Sequence, residues 1–115
     1  MFVEERIYTL HPGKLPAFLQ VYEEKGFASQ REILGPPVGW YTAEIGELNQ
    51  VVHLWAYASL DDRDSRRKQL YENAQFKEYL AAIFPMLVKM ENRILKPAPF
   101  FAEPLNKMIA AWGKP

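Results

Sequence analysis

Cysteine is absent from this chain of 115 residues. Its absence excludes disulfide bonds, thiol catalysis and cysteine-based metal sites. Histidine occurs only twice, in dissimilar surroundings, which argues against a histidine-based metal site as well. The sequence also has no glycine-rich phosphate loop and no dinucleotide-binding motif. We therefore expect neither a metal nor a cofactor.

Long apolar runs and a surplus of one charge are also missing. No run approaches the roughly 18 apolar residues that a membrane-spanning helix needs, and residues 1–6 do not resemble a signal peptide. The 14 basic side chains are balanced by 14 acidic ones, whereas a nucleic-acid surface needs an excess of basic groups. We therefore expect a cytoplasmic protein that binds neither membranes nor nucleic acids.

The chain does contain enough apolar material for one folded domain. Hydrophobic residues make up 49% of it and charged residues 24%, which is typical of globular proteins and too apolar for a disordered chain. At this length there is room for a single hydrophobic core. We assign residues 1–100 to this domain. Residues 101–115 form an apolar tail, which we expect to dock on its own subunit or on a neighbouring one.

Alternation of apolar and polar residues predicts four strands, and helical spacing predicts the segments between them. The predicted strands are residues 2–10, 40–45, 50–58 and 91–96. The first helix should cover about residues 14–24 or extend slightly further, with Gly26 as its end. A charged helix should follow Ser59, and a more apolar one should follow Asn73 until Pro85 breaks it. The order β-α-β-β-α-β predicts an α+β fold of the ferredoxin-like type with an antiparallel sheet.

Residues 61–68 form a dense run of charged side chains within the predicted charged helix. Oppositely charged residues four positions apart, such as Asp62 and Arg66 or Asp64 and Lys68, pair on a helix surface. We interpret the run as the solvent-facing side of this helix, because it mixes both signs of charge.

The strand at residues 50–58 has two dissimilar faces. Because side chains alternate along a strand, Val51, His53, Trp55 and Tyr57 share one face. A solvated face would carry small polar or charged residues, whereas this one carries two large aromatic rings and a histidine. A second subunit, a ligand or both should therefore cover it. Since helices cover only one face of a ferredoxin-like sheet, we expect this face to be buried by the pairing of two sheets in a homodimer.

His53 is the first candidate for a chemical role. Its ordinary pKa lies close to working pH, so it suits proton transfer in an apolar pocket. A histidine held by hydrogen bonds in a structural network is the alternative. Arg6 and Tyr8, which share a face of the first strand, are suited to bind a carboxylate or a phenolate. An arginine paired with an acidic residue at a subunit interface is the alternative for them.

A wider set of polar and aromatic residues is predicted to lie around this histidine. Glu44, Glu91 and Arg93 are expected to join Arg6 and His53 in a polar ring enclosed by aromatic side chains. Such a ring is typical of a small-molecule pocket and also of an interface with satisfied ion pairs, and both interpretations stand. The full set of candidate binding residues is Arg6, Tyr8, Trp40, Glu44, His53, Trp55, Tyr57, Glu91 and Arg93.

The chain carries three segments in a recognisable order: RIYTLHPGK at 6–14, EIGELNQVVHLWAY at 44–57 and ENRILKP at 91–97. Together they resemble the domains of the NIPSNAP family over roughly residues 2–100. The resemblance implies a dimeric α/β barrel, in which two ferredoxin-like subunits join their sheets. It implies no particular reaction, because the family has no agreed catalytic mechanism and no assigned catalytic residues.

Three functions are compatible with these patterns. The first is a dimer that binds a small ligand or a protein. The alternative is a cofactor-independent monooxygenase or isomerase acting on a small aromatic or apolar substrate, with His53 handling the proton and Arg6 and Tyr8 stabilising an anion. The third is a structural assembly module. An enzyme requires a cavity beside His53, whereas an assembly module predicts solid packing there.

Overall fold

The computed structural model describes residues 1–113, in which a four-stranded sheet packs against helices on one face. The strands are β1 (Phe2–Leu10), β2 (Gly39–Thr42), β3 (Gln50–Tyr57) and β4 (Leu87–Leu95). The α-helices are α1 (Leu15–Val21), α2 (Phe27–Leu34), α3 (Leu60–Glu72), α4 (Ala74–Ile83) and α5 (Ala102–Gly113). The sheet order is β2-β3-β1-β4 and every neighbouring pair is antiparallel. This confirms the predicted ferredoxin-like α+β fold.

The helical segment after β1 is longer than predicted. A π-helical turn, Tyr22–Gly26, joins α1 to α2, so the chain stays helical to the end of α2. Gly26 therefore does not end the helix. A Cβ atom at Gly26 would lie 2.9 Å from the Tyr22 ring and 3.0 Å from the Tyr79 ring, so only glycine permits this close packing. The helix ends instead at Gly35, whose φ of 88° suits glycine.

The second helical segment begins and breaks where the sequence predicts. The Ser59 side chain caps α3 by accepting a hydrogen bond from the Asp62 amide at 3.0 Å. Asn73 separates α3 from α4, and its side-chain oxygen accepts a hydrogen bond from the Phe76 amide at 2.9 Å. Helix α4 ends before Pro85, which lies in a short 3-10 turn leading to β4. Proline has no backbone N–H to continue the α-helix, so the break follows from local chemistry.

The loop between the two hairpin strands is longer than predicted. Strand β2 ends at Thr42, and the loop 43–49 precedes β3. Gly46 lies in this loop with a φ of 109°, a conformation that disfavours a strand and suits glycine. Glu44 consequently occupies an exposed loop position instead of a strand position.

The sheet face that carries Trp55 is covered by helices of the same chain. Arg6 of β1 lies opposite His53 of β3 in the strand register, so Glu4, Arg6 and Tyr8 share the face of His53 and Trp55. Trp55 has no exposed surface, and His53 is 1% exposed. The prediction that a second subunit buries this aromatic face is therefore wrong. The apolar composition of a strand face indicates that the face is covered. It does not indicate whether helices of the same chain or a second subunit cover it.

We call the opposite face of the sheet the open face. Its centre is apolar and half-buried, with Ile7 of β1 opposite Val52 of β3. Strand β4 begins at Leu87, earlier than predicted, and places Glu91 and Arg93 on this same face. The open face is therefore apolar at its centre and charged along β4.

Helix α5 packs at the end of the sheet where β1 begins and β3 ends, with Leu105 only 5% exposed. It lines a cavity there together with Val3, Leu54 and Leu95, which lie on the open face. Arg31 of α2 contacts its last turn. The Arg31 Nη2 donates to the Trp112 carbonyl oxygen at 3.3 Å, and its guanidinium carbon lies 4.4 Å from the centre of the Trp112 ring. The division of the chain at residue 100 stays a prediction, and residues 114 and 115 of the predicted tail lie outside the described residues. Within residues 1–113, no helix is long and apolar enough to cross a bilayer.

Candidate functional site

His53 is enclosed by aromatic side chains. Its Nδ1 accepts a hydrogen bond from Trp55 Nε1 at 2.6 Å. The Tyr8 ring meets the imidazole edge-on with 4.9 Å between ring centres, and the Trp40 ring stacks on it at 5.4 Å. These contacts fix the orientation and the tautomer of His53, because a ring nitrogen that accepts a hydrogen bond carries no proton.

The surroundings of His53 also keep it uncharged. Burial lowers the pKa of His53 to about 3, and the positive charges of Arg6 and Arg67 act in the same direction. The groove beside α5, described next, is not lined by His53. This packing favours the structural interpretation of His53 over the interpretation as a proton shuttle.

Glu4 is the centre of a charged cluster on the same face of the sheet. It is fully buried, and its Oε2 accepts hydrogen bonds from Arg63 at 2.7 Å, Asn92 at 2.8 Å and Arg6 at 3.1 Å. Arg67 Nη1 lies 4.0 Å from the other carboxylate oxygen. Burial alone would raise the pKa of Glu4, but the hydrogen bonds and the positive charges outweigh burial and lower the pKa to about 2. Glu4 is therefore ionised at neutral pH.

A groove of about 650 Å³ lies between α5 and the rest of the protein. The α1–α2 segment, strand β2 and helix α5 form its walls. Its main lining side chains are Leu19, Tyr22, Phe27, Trp40, Met108 and Trp112. The volume falls within the roughly 300–1,000 Å³ that is typical of small-molecule sites.

Few polar atoms face this groove. The Tyr22 hydroxyl donates to Gln30 Oε1 at 2.6 Å, and burial raises the pKa of Tyr22. Within residues 1–113, Glu23 is the one charged side chain that lines the groove. Trp40 lines the groove and also stacks on His53, so the groove and the aromatic enclosure share one wall. The arrangement suits a neutral and largely apolar molecule.

Comparison with known proteins identifies the family. The sequence profile of the NIPSNAP family matches residues 3–102. The chain belongs to the NIPSNAP family. A NipSnap homologue from Dictyostelium discoideum is 36% identical over 94 residues, and NipSnap homologue 1 from Danio rerio is 38% identical over 94 residues. Both alignments cover 82% of this chain but only 41% and 33% of those relatives, so the chain spans less than half of their length.

Solved structures of NIPSNAP proteins have the same fold. A NIPSNAP family protein of unknown function from Agrobacterium tumefaciens is 43% identical with a TM-score of 0.83, covering 87% of this chain and 90% of that one. A NIPSNAP-like domain protein from Burkholderia xenovorans is 47% identical with a TM-score of 0.82, covering 86% of each chain. An antibiotic biosynthesis monooxygenase is 12% identical with a TM-score of 0.61, covering 86% of this chain and 100% of that one. This last similarity shows a shared fold alone.

In this NIPSNAP protein the predicted polar ring does not assemble. Arg6 lies opposite Asn92 in the register of β1 and β4, so Asn92 shares its face and Glu91 and Arg93 do not. Arg93 instead donates to Glu5 Oε1 at 2.7 Å, away from the helices. The predicted meeting of these side chains is wrong, because a shift of one residue in register moves every side chain of a strand to the other face.

The other predicted residues fall into two groups. Glu44 lies in the exposed hairpin loop and joins neither the His53 enclosure nor the Glu4 cluster. Trp40, Trp55 and Tyr57 all lie on the helix-covered side of the sheet, and Tyr57 is close to the charges of the Glu4 cluster. A ligand-binding role for any of them stays a prediction.

Arg63 and Arg67 are members of the charged cluster that the sequence pattern did not identify. The charge run of α3 does contain the predicted ion pair of Asp62 and Arg66, at 2.8 Å, but it is not wholly solvent-facing. Arg63 and Arg67 lie four positions apart, and the fully buried Leu70 follows three positions later. This spacing of three and four residues is typical of the helix side that packs on a sheet. It could have identified Arg63 and Arg67 from the sequence.

Proposed function

We propose that this NIPSNAP protein binds a small, neutral, apolar molecule in the groove between α5 and β2. The observation that carries the proposal is the groove itself, which has about 650 Å³ of space and mostly apolar walls. Moving apolar surface from water into such a space is favourable. The rings of Tyr22, Trp40 and Trp112 offer flat faces against which an aromatic ligand would pack.

We also propose that two copies of the chain associate through the open face. The half-buried Ile7 and Val52 at its centre support the proposal, since an apolar sheet face of this kind gains stability when another layer covers it. The dimeric barrel implied by the family resemblance agrees with it. We also propose a cytoplasmic location, which is expected from the composition.

A cofactor-independent monooxygenase or isomerase has less support. Such an enzyme would need its substrate beside His53, whereas aromatic side chains fill the space around this residue. The fold shared with an antibiotic biosynthesis monooxygenase does not transfer an activity, because one fold hosts many unrelated functions.

Titration with N-phenyl-1-naphthylamine tests ligand binding in the groove. This dye is neutral, and its emission rises in apolar surroundings. We expect saturable binding to the full chain, with energy transfer to the dye from Trp40 and Trp112, because both tryptophans line the groove. A linear, unsaturable rise in emission would contradict the proposal.

A pair of variants locates the dye. Met108 lines the groove and is 52% exposed, so Met108→Glu places a charge at the mouth of the groove. An apolar molecule that covers this charge should bind about tenfold or more weakly. Asn106→Glu adds the same charge at an exposed position of α5 outside the groove and should bind like the wild type. Equal affinities of the two variants would show that the dye binds elsewhere.

A further inference from the structure

Three guanidinium groups converge on the single carboxylate of Glu4. Arg6 and Arg63 lie 3.1 Å and 2.7 Å from Glu4 Oε2, and Arg67 lies 4.0 Å from Oε1. Arg63 also reaches Asp64 at 3.1 Å, so it has two acidic partners. In the described part of the chain, Arg6 and Arg67 have only Glu4. The cluster therefore keeps a surplus of positive charge, which is unfavourable in a largely buried place unless an anion pairs with it.

Neutral hydroxyl groups orient the two arginines that share this surplus. Arg6 Nε donates to the Tyr8 hydroxyl at 2.9 Å, and Arg67 Nη2 donates to the Tyr71 hydroxyl. A hydroxyl satisfies a donor without neutralising its charge. Each of the two arginine side chains keeps 10% of its surface exposed. A guanidinium held in a fixed orientation is well suited to bind a planar carboxylate.

Exposed apolar side chains border the cluster on the helix side of β4. Met90 lies opposite Tyr8 in the register, and Ile94 lies opposite Glu4. Met90 and Ile94 are each 41% exposed, and the neighbouring Tyr71 is 45% exposed. Positive charge beside exposed apolar surface favours a ligand that has one anionic group and an apolar body.

We infer that Arg6 and Arg67 form a second binding site, for the carboxylate of a small monocarboxylate with an apolar body. The carboxylate would pair with the surplus guanidinium charge, and the body would lie on Met90 and the ring of Tyr71. The α5 groove contains none of these residues, so the inference does not depend on the proposed function. A neutral molecule of the same shape would leave the surplus charge unpaired.

Calorimetric titration of the full chain with benzoate tests the inference. Benzamide is the neutral probe of the same shape, and inorganic phosphate carries charge without an apolar body. We expect saturable benzoate binding that weakens as sodium chloride is added, and binding of benzamide and of phosphate that is at least about tenfold weaker. Equal binding of benzoate and benzamide, or tighter binding of phosphate, would overturn the inference.

Variants of the cluster locate the benzoate. Arg67→Gln removes one guanidinium and should weaken benzoate binding by about tenfold or more. Arg66→Gln changes a half-exposed arginine of the same helix and should bind benzoate like the wild type. Met90→Glu puts a competing carboxylate at an exposed position beside the arginines and should abolish benzoate binding. This variant tests the proposed site even if Arg67→Gln does not fold. Benzoate binding that survives Met90→Glu but is lost in Met108→Glu would assign the anion to the groove instead.

Discussion

At the scale of single residues, the same two arginines contribute to the pKa values of two buried groups, in addition to burial for His53 and to the hydrogen bonds from Arg63 and Asn92 for Glu4. Arg6 and Arg67 disfavour the charged form of His53 and favour the charged form of Glu4. Both arginines therefore act to lower the pKa values of both groups, although one group is a base and the other an acid. A substitution that removes either arginine should raise both pKa values.

The lowered pKa of His53 should make the protein less stable in mild acid. In the unfolded chain this pKa returns to its ordinary value of 6.5, so between pH 6.5 and about pH 3 the unfolded state binds a proton that the folded state does not. The free energy of unfolding should therefore fall by about 2 kcal/mol from pH 7 to pH 5 through this group. Glu4, with a folded pKa of about 2 against 4.5, adds a loss only below about pH 4.5.

Urea unfolding at several pH values measures this contribution. His53→Gln retains a side-chain acceptor for Trp55 but does not titrate, so its stability should change less between pH 7 and pH 5. His11→Gln removes an exposed histidine and should keep the dependence of the wild type. If His53→Gln loses stability as steeply as the wild type, His53 is not the group responsible.

At the scale of secondary-structure elements, α5 converts one end of the sheet into a groove. Leu105 of this helix is buried, whereas Met108 and Trp112 line the groove on the same helix. Arg31 of α2 contacts the last turn of α5 through its hydrogen bond and its stacking on Trp112. The groove therefore exists only while α5 stays docked.

Leu105→Ala should loosen α5 without disrupting the sheet. Loss of a buried leucine costs about 2 kcal/mol or more, so we expect roughly thirtyfold faster hydrogen exchange of the α5 amides if the helix opens locally. Lys107→Ala, on an exposed side of the same helix, should leave exchange unchanged. Mass-spectrometric hydrogen exchange separates α5 from the strands, and unchanged exchange in Leu105→Ala would mean that this contact does not hold the helix.

At the scale of the whole molecule, the two faces of the sheet differ in what covers them. Helices of the same chain bury the face with Trp55, whereas the open face has an apolar centre at Ile7 and Val52. The formal net charge of the chain is zero, so two copies approach each other without net electrostatic repulsion. The apolar centre favours association through the open face, and the zero net charge does not oppose it.

Sedimentation measures this association directly. We expect the wild type to be a dimer at micromolar concentration and Val52→Lys to be a monomer, because a lysine at the centre of the open face would bury an unpaired charge in the dimer. Ile94→Lys changes an exposed residue of the same sheet that lies opposite Glu4, on the helix side of β4, and should remain a dimer. A monomeric wild type at this concentration would refute the dimer.

The features that were predicted correctly depend on residues close together in the chain. Ser59 and Asn73 cap helices by bonding to amides three positions ahead, and Pro85 ends a helix through its own missing donor. The order of strands and helices follows from the periods of apolar residues, and that order leads to the ferredoxin-like topology. The predicted end at Gly26 failed because the fold uses this glycine for packing against two tyrosine rings.

The sequence by itself determined the family, the order of the elements from β1 to β4 and the local caps, because each of these depends on a few neighbouring residues or on a continuous run. The helical state of α5 was not predicted. Only the tertiary structure decided which face of β3 meets the helices, and that Asn92 instead of Glu91 joins Arg6. It also decided that Arg63 and Arg67 turn towards Glu4. These outcomes depend on strand register and on packing between segments that are far apart in the chain. The charge balance of the Glu4 cluster follows from that packing, and no local sequence pattern encodes it.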